Sequence, residues 1–293
     1  MFRRSERNGR HSHSLPGSRS ATLTWCGMSA AILLVSLVTG PSGSTVPDAA
    51  RAVATTVVHP PVQIENSSNG LVSSTNWAGY AVTYAAAGTL FSNVSGSWVQ
   101  PAAICPTSAQ EDAAFWLGID GFQKSSNTVE QIGTDSDCDK RKKHGDPTYY
   151  AWWELYPQAS VTIARASHPV FPGDTMTASV SRTGSAFTLT LNDVTRGWQF
   201  RAPSETPTTA AQDSSAEWIA EAPSICKGAL CNTSKLADFS IISFTGATAD
   251  GNPINSSLFN DNEIDMMKGK KTVKAATSNL TGGTSFNVTW HHT

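Results

Sequence analysis

A chain of 293 residues is long enough for one large β-sandwich or for two small domains, so length alone leaves the domain count open. Only 15 % of the residues are charged, against about 25 % in an ordinary soluble domain, and the net charge of −2 gives no basis for a nucleic-acid partner. Nine Trp and abundant Ser, Thr, Gly, Ala and Val favour strands over helices.

The N-terminal forty residues carry the pattern of an export signal. Arg3, Arg4, Arg7, Arg10 and Arg19 precede an apolar run from Met28 to Val38, and small residues and Pro41 follow. A run of about eleven residues is too short to span a bilayer, so no membrane attachment is expected once the signal is removed. Residues 1–52 are read as the signal region. Cleavage suits either the stretch after Thr39 or the Ala-Arg-Ala step ending at Ala52, and the mature protein is expected to be secreted and monomeric. From Val53 onward the chain holds 15 Lys and Arg against 21 Asp and Glu, a net charge near −6. Acid neutralises most of those carboxylates, and with only 15 basic groups the self-repulsion that remains is modest.

Between Pro41 and Gly70 the sequence is rich in Pro, Ser, Thr and Asn without periodicity, and residues 53–75 read as a linker or a short pro-segment. The core domain is placed at 76–293. Short alternating runs recur through it, at Gly96 to Val99, Ala114 to Ile119, Thr148 to Tyr156, Asp174 to Val180, Ala186 to Leu191, Ala216 to Ala220 and Ala237 to Phe244. No stretch of ten or more residues keeps a 3.6-residue period. Closely spaced strands joined by Gly, Pro, Asn and Asp turns favour an antiparallel sandwich or barrel.

Removing Cys26 with the signal leaves Cys105, Cys138, Cys226 and Cys231, an even set that suits two disulfides. Three pairings are open. Cys105 with Cys138 and Cys226 with Cys231 is favoured, because the second pair closes a short loop. The spacings do not form two close pairs of zinc ligands, and neither a metal nor another cofactor is expected.

Common catalytic signatures are missing: there is no Gly-x-Ser-x-Gly, no His-Glu-x-x-His, and no Asp-Thr-Gly or Asp-Ser-Gly. Between Asn76 and Trp290 only His144 and His168 occur, each in a turn-like segment that reads as surface, so a His-dependent triad has little to work with. What stands out instead is a set of polar groups within aromatic, strand-like segments. These are Asn76-Trp77-Ala78-Gly79-Tyr80, Trp116-Leu117-Gly118-Ile119-Asp120-Gly121, Glu130-Gln131-Ile132-Gly133, the run from Tyr149 to Pro157, and Ala216-Glu217-Trp218-Ile219-Ala220-Glu221.

In order and wording these segments resemble the eqolisins, the glutamic peptidase family G1, and its bacterial relatives in particular. The resemblance runs from about Asn76 to the C-terminus. It implies an all-β, concanavalin A-like (lectin-type) sandwich of two antiparallel sheets, and an endopeptidase that cleaves proteins or peptides in acid with a Gln/Glu dyad and an activated water. Carried over by motif, the dyad is Gln131 and Glu217. Asp120 and Asp135 match acidic positions beside the family's site, and Trp77 and Trp116 match aromatics that line it. Ala220 departs from the pattern, which has a larger aliphatic residue there, and Lys140 to Lys143 form an insert.

Strand alternation supplies an independent expectation. Within Ala216 to Glu221, Glu217, Ile219 and Glu221 share one face, and Trp218 packs on the other. A glutamine amide stays neutral and offers both donor and acceptor, as oxyanion binding requires, while a glutamate near its ordinary pKa of ~4.3 suits a base in acid. Two alternatives use the same kind of sandwich. A β-glucan hydrolase would employ paired carboxylates such as Glu217 and Glu221, although Ile219 stands where the glucanase pattern has Asp. A lectin-like binding module would stack its exposed aromatics on sugars.

Overall fold

The structure, a computed structural model, describes residues 55–68, 71–106, 109–139 and 146–292. Twenty strands and no helix occur among them, numbered along the chain. The signal region and the Lys140 to Lys143 insert lie outside the described residues.

Upstream of Asn76 the chain already forms β1 (Thr55–Val58), β2 (Ile64–Ser68) and β3 (Leu71–Ser74), so ordered strands begin before the boundary expected from composition. β2 and β3 edge the first sheet, which continues through β18 (Phe259–Lys268), β4 (Trp77–Tyr84), β13 (Ala216–Glu221), β6 (Glu111–Ile119), β7 (Val129–Cys138), β8 (Pro147–Tyr156) and β9 (Val161–Thr162). The second sheet runs β20 (Phe286–Trp290), β16 (Ile241–Ala249), β5 (Asn93–Val99), β10 (Thr175–Thr183), β11 (Ala186–Asp193) and β12 (Trp198–Arg201). β19 (Thr272–Thr277) pairs with both β18 and β20 and ties the sheet edges together, while β17 (Asn252–Pro253) returns against the end of β16. The ladders are antiparallel except for β3 on β18. A separate small sheet joins β1 to the hairpin of β14 (Ser224–Lys227) and β15 (Leu230–Thr233).

The main core fills the space between the two large sheets with Trp98, Phe115, Leu117, Trp218, Leu189, Phe187 and Phe244. In the β10–β11 hairpin, Met176, Ala178 and Val180, then Phe187, Leu189 and Leu191, are buried on one side, while Thr177, Ser179, Thr188 and Thr190 face the other. This is the wet-face and dry-face alternation read from the sequence. β6 is buried at all nine positions and β7 at nine of its ten. Both faces of these strands are covered, so a second cluster exists on the outer face of the first sheet, formed by Trp77, Ala81, Trp116, Val129, Trp152 and Ile219.

One expected strand starts late. The run from Ala237 yields a strand only from Ile241, because Asp238 accepts a hydrogen bond from the Ser240 N–H and Ser240 takes φ +55°, which turns the chain first. Both favoured disulfides are present: Cys105–Cys138 fastens the segment before β6 to the end of β7, and Cys226–Cys231 closes the β14–β15 hairpin.

Candidate active site

The strand order of the first sheet places the expected residues in three cross-strand rows on its outer face. In the first row, Glu217 of β13 and Gln131 of β7 are both register partners of Gly118 on the intervening β6, and Glu154 of β8 stands beyond Gln131. The second row is Ile219, Trp116, Gly133 and Trp152, and the third is Glu221, Ala114, Asp135 and Tyr150. Trp218 points the other way, into the sandwich, where its indole N–H donates to the Ser95 carbonyl at 2.9 Å. The facing expected for β13 is therefore the one observed.

Two glycines make the rows possible. A Cβ on Gly118 would lie 3.0 Å from Gln131 Cβ and 3.2 Å from Trp116 Cζ3, which closes the gap between the dyad positions. A Cβ on Gly133 would come within 2.5 Å of Trp116 Cβ, so only glycine lets that indole settle against β7.

Each named side chain has a defined place. Gln131 donates both amide hydrogens from Nε2, one to Glu154 Oε2 at 3.1 Å and one to the backbone carbonyl of His59 at 2.7 Å. Two acceptors on that side fix the amide orientation, leaving Oε1 as an acceptor with no hydrogen bond among the described residues. Glu217 is fully buried, and no hydrogen bond of ordinary length reaches its carboxyl oxygens. Burial pushes its pKa well up, an effect only partly offset by the Ser215 hydroxyl and reinforced by the charges of Asp120 and Glu130. Asp120, at φ +71°, accepts from the N–H groups of Gln212, Asp213 and Ser214 and from the Ser214 hydroxyl, so it clamps the loop that leads into β13.

Asp135 accepts the Trp152 indole N–H at 2.9 Å. The Tyr150 hydroxyl oxygen lies 2.7 Å from Asp135 Oδ2 and 2.9 Å from Asp137 Oδ2, and its single proton can serve only one of them at a time. Both carboxyls have pKa values pushed well up, first by burial. Trp116 donates to Glu221 Oε2 at 2.8 Å, and the ring of Trp77 meets that of Trp116 edge-on at 4.9 Å. Burial also raises Glu221 and Glu154 well above the usual carboxylate range.

The main contributor absent from the sequence expectations is the segment that covers these rows. After β1, which is held against β14, the chain crosses the outer face through His59, Pro60 and Pro61. Ser160 Oγ donates to Val57 O on one side. On the other, the Asn76 amide reaches the Pro60 and Pro61 carbonyls, and Val62 N–H donates to Gly121 O. Proline offers no N–H and favours an extended chain before it, so this stretch lies over the sheet without joining it. His59 is fully buried, its ring stacked on Trp152 at 3.6 Å with an interplanar angle of 1°. Its N–H donates to Glu154 Oε2 at 3.0 Å, and Nδ1 lies 3.1 Å from Glu221 Oε2. His168, by contrast, meets Trp198 and Phe200 edge-on, away from these rows.

The model of the Peptidase A4 family matches residues 75–290, most of the chain and every strand that carries the three rows. The chain belongs to this family. Its relatives are glutamic peptidases. Scytalidopepsin B of Scytalidium lignicola is 29 % identical over 202 residues, covering 67 % of this chain and 71 % of that protein. The crystal structure of scytalido-glutamic peptidase with a transition-state analogue inhibitor is similar at TM-score 0.62 and 25 % identity, covering 74 % of this chain and 98 % of the other. That of SCP-B, a member of the eqolisin family in complex with the tripeptide Ala-Ile-His, has TM-score 0.57 and 23 % identity over the same shares. This Peptidase A4 member is a glutamic endopeptidase with the β-sandwich of that family, and its substrates are peptides. The sugar-directed alternatives are set aside on that ground.

Among the described residues no helix is long and apolar enough to cross a membrane. Glu154 and Trp152 lie within a segment already conspicuous for its aromatics, and a carboxylate between Trp153 and Leu155 was the available signal. For His59 the sequence offers only a histidine before two prolines.

Proposed function

We propose that this glutamic peptidase is an exported, monomeric enzyme that works in acid, with Glu217 and Gln131 as its dyad and residues 53–75 as a pro-segment whose stretch around His59 covers the cleft. The observation that carries this reading is the 2.7 Å contact of Gln131 Nε2 with a peptide carbonyl, on a face where Glu217 flanks the same glycine. A substrate carbonyl taking the position of the His59 carbonyl meets the same donor. Glu217 removes a proton from water as the water oxygen bonds to the carbonyl carbon, and the oxyanion keeps its hydrogen bond from Gln131. Glu217 then passes that proton to the amide nitrogen. The C–N bond breaks, leaving a carboxylic acid and an amine. Glu154 acts as a positioning residue, holding the Gln131 amide with its NH2 toward the carbonyl.

Asp120 supports the entry of β13, Asp135 and Trp116 fix the neighbouring row, and Trp77 packs behind Trp116. While the segment is in place, burial keeps the Glu217 pKa well above the usual carboxylate range. Its departure rehydrates the face and lets that pKa fall toward the ordinary ~4.3, where a base is ionised in mild acid. Two disulfides suit an oxidising exterior.

Casein hydrolysis by the secreted protein, followed from about pH 3 to about pH 7, tests the reading. Activity confined to acid and abolished in Glu217→Gln is the expected result. An optimum at neutral pH, or a Glu217→Gln protein with near-normal activity, contradicts it.

A further inference from the structure

We propose that the slot formed by Trp152, Glu221 and Asp135 is the subsite for the side chain that precedes the cleaved bond, and that it selects an imidazole. This rests on the reading of Gln131 as the oxyanion donor. If Gln131 binds the reacting carbonyl, the residue whose carbonyl it holds occupies the position just before the cleaved bond, and in this structure that residue is His59. Its backbone is gripped on both sides, N–H on Glu154 and C=O on Gln131, so the side chain has one direction to take. That direction leads into the slot.

Slot and ring match in shape, and in hydrogen bonding at Nδ1. The indole of Trp152 is held by its own N–H on Asp135, and it offers a flat wall on which the His59 ring lies parallel at 3.6 Å. Glu221, fixed by Trp116, meets Nδ1 at 3.1 Å, and Asp135 Oδ2 lies 4.0 Å from Nε2. The slot therefore pairs Nδ1 with a carboxyl, while Nε2 has no hydrogen-bond partner among the described residues. A phenyl ring keeps the stack but leaves Glu221 facing a C–H edge, and an aliphatic side chain loses the stack as well. Leaving a buried polar group unpaired is the usual basis of strong discrimination against an analogue that lacks the matching group.

The flanking residues agree with a bound-peptide geometry. Val57 O is held by Ser160 and Val62 N–H by Gly121, so the segment is anchored on either side of the slot as an extended peptide would be.

Two measurements test the inference. In the first, peptides that differ only at the residue before the cleaved bond (His, Phe, Leu or Ala) are digested by the secreted, full-length chain at about pH 6, where a sizeable fraction of the imidazole is neutral, with the cut mapped by mass spectrometry. The expected kcat/KM for His exceeds those for Phe and Leu by about tenfold, and Glu221→Gln and Trp152→Leu each shrink that ratio. A His peptide cut no faster than the Leu peptide overturns the inference. If casein is still cleaved in a Glu217-dependent manner, only the inference fails, whereas loss of that dependence removes the functional reading beneath it.

The second measurement needs no catalysis. In the full chain, hydrogen exchange at residues 55–63 should quicken by about tenfold in His59→Phe and further in His59→Ala. Equal protection in His59→Phe and wild type shows that the slot does not read the imidazole, and overturns the inference independently.

Discussion

The two faces of β13 solve opposite problems within six residues. On the inner face Ala216, Trp218 and Ala220 pack into the sandwich, and the single polar atom of Trp218 is paired with Ser95. On the outer face Glu217 and Glu221 flank Ile219, and both carboxyls are buried among other carboxyls with few partners. The inner face is the kind of surface that stabilises a fold. The outer one costs stability, and the stretch from Val57 to Val62 lies over part of it in place of a second sheet. Buried polar groups that are left under-satisfied and perturbed in pKa are characteristic of sites kept for chemistry.

Substitutions should separate the two faces. Trp218→Ala is expected to cost about 3–5 kcal/mol of stability, read as a fall in the urea midpoint, because it empties the centre of the sandwich. Gln131→Ala, on the other face, should leave that midpoint near wild type while kcat falls roughly 10²–10³-fold, about 2.7–4 kcal/mol of transition-state stabilisation. Glu154→Gln is milder. It replaces a carboxyl that accepts through either oxygen by an amide with one acceptor oxygen, so the Gln131 NH2 is held less firmly, and a drop of about tenfold in kcat with KM little changed is expected.

Residue for residue the smallest effects are those of pH, and they run in opposite directions on the two sides of the cleft. The buried carboxyls Asp135, Glu154, Glu217 and Glu221 have folded pKa values raised first by burial above the unfolded ~4. The folded form therefore binds more protons, and stability is complete below about pH 4 and lost as pH rises through the folded values. Asp213, at about 6, and Glu130, at about 9, extend that window upward. The urea midpoint should be higher at about pH 4 than at about pH 7.

His59 has the reverse sign. Burial lowers its pKa, so its contribution to the covered form is present above about 6.5 and lost as pH falls. It faces Glu221 on β13, Asp135 on β7, and Glu154 and Trp152 on β8. Hydrogen exchange at residues 55–63 should accordingly show weaker protection in acid while the sandwich itself is at its firmest.

Much of this was legible in the sequence where one face of a strand is wet. The β10–β11 hairpin shows its period because Thr188 and Thr190 face outward, and β13 shows which side Trp218 must take. Gln131 and Glu217 were named by the wording of their segments, whose nearness only the β13–β6–β7 order brings about. β7 shows no alternation to read, since both of its faces are covered. The covering segment was illegible for a related reason. Its Pro60-Pro61 step has no strand period, and nothing local says that a sheet awaits a histidine there. Glu154 and Trp152 acquire roles only through that histidine and through their register with Gln131 and Gly133.

The assignment of the base among the carboxyls of β13 is the central claim, and a side-by-side comparison of Glu217→Gln and Glu221→Gln tests it most directly. On a peptide with Leu before the cleaved bond, in acid, Glu217→Gln should lose about 10²–10⁴-fold in kcat. Glu221→Gln should stay within about tenfold of wild type, since it meets the side-chain slot and not the reacting carbonyl. The opposite order, with Glu221→Gln inactive and Glu217→Gln active, would contradict the account.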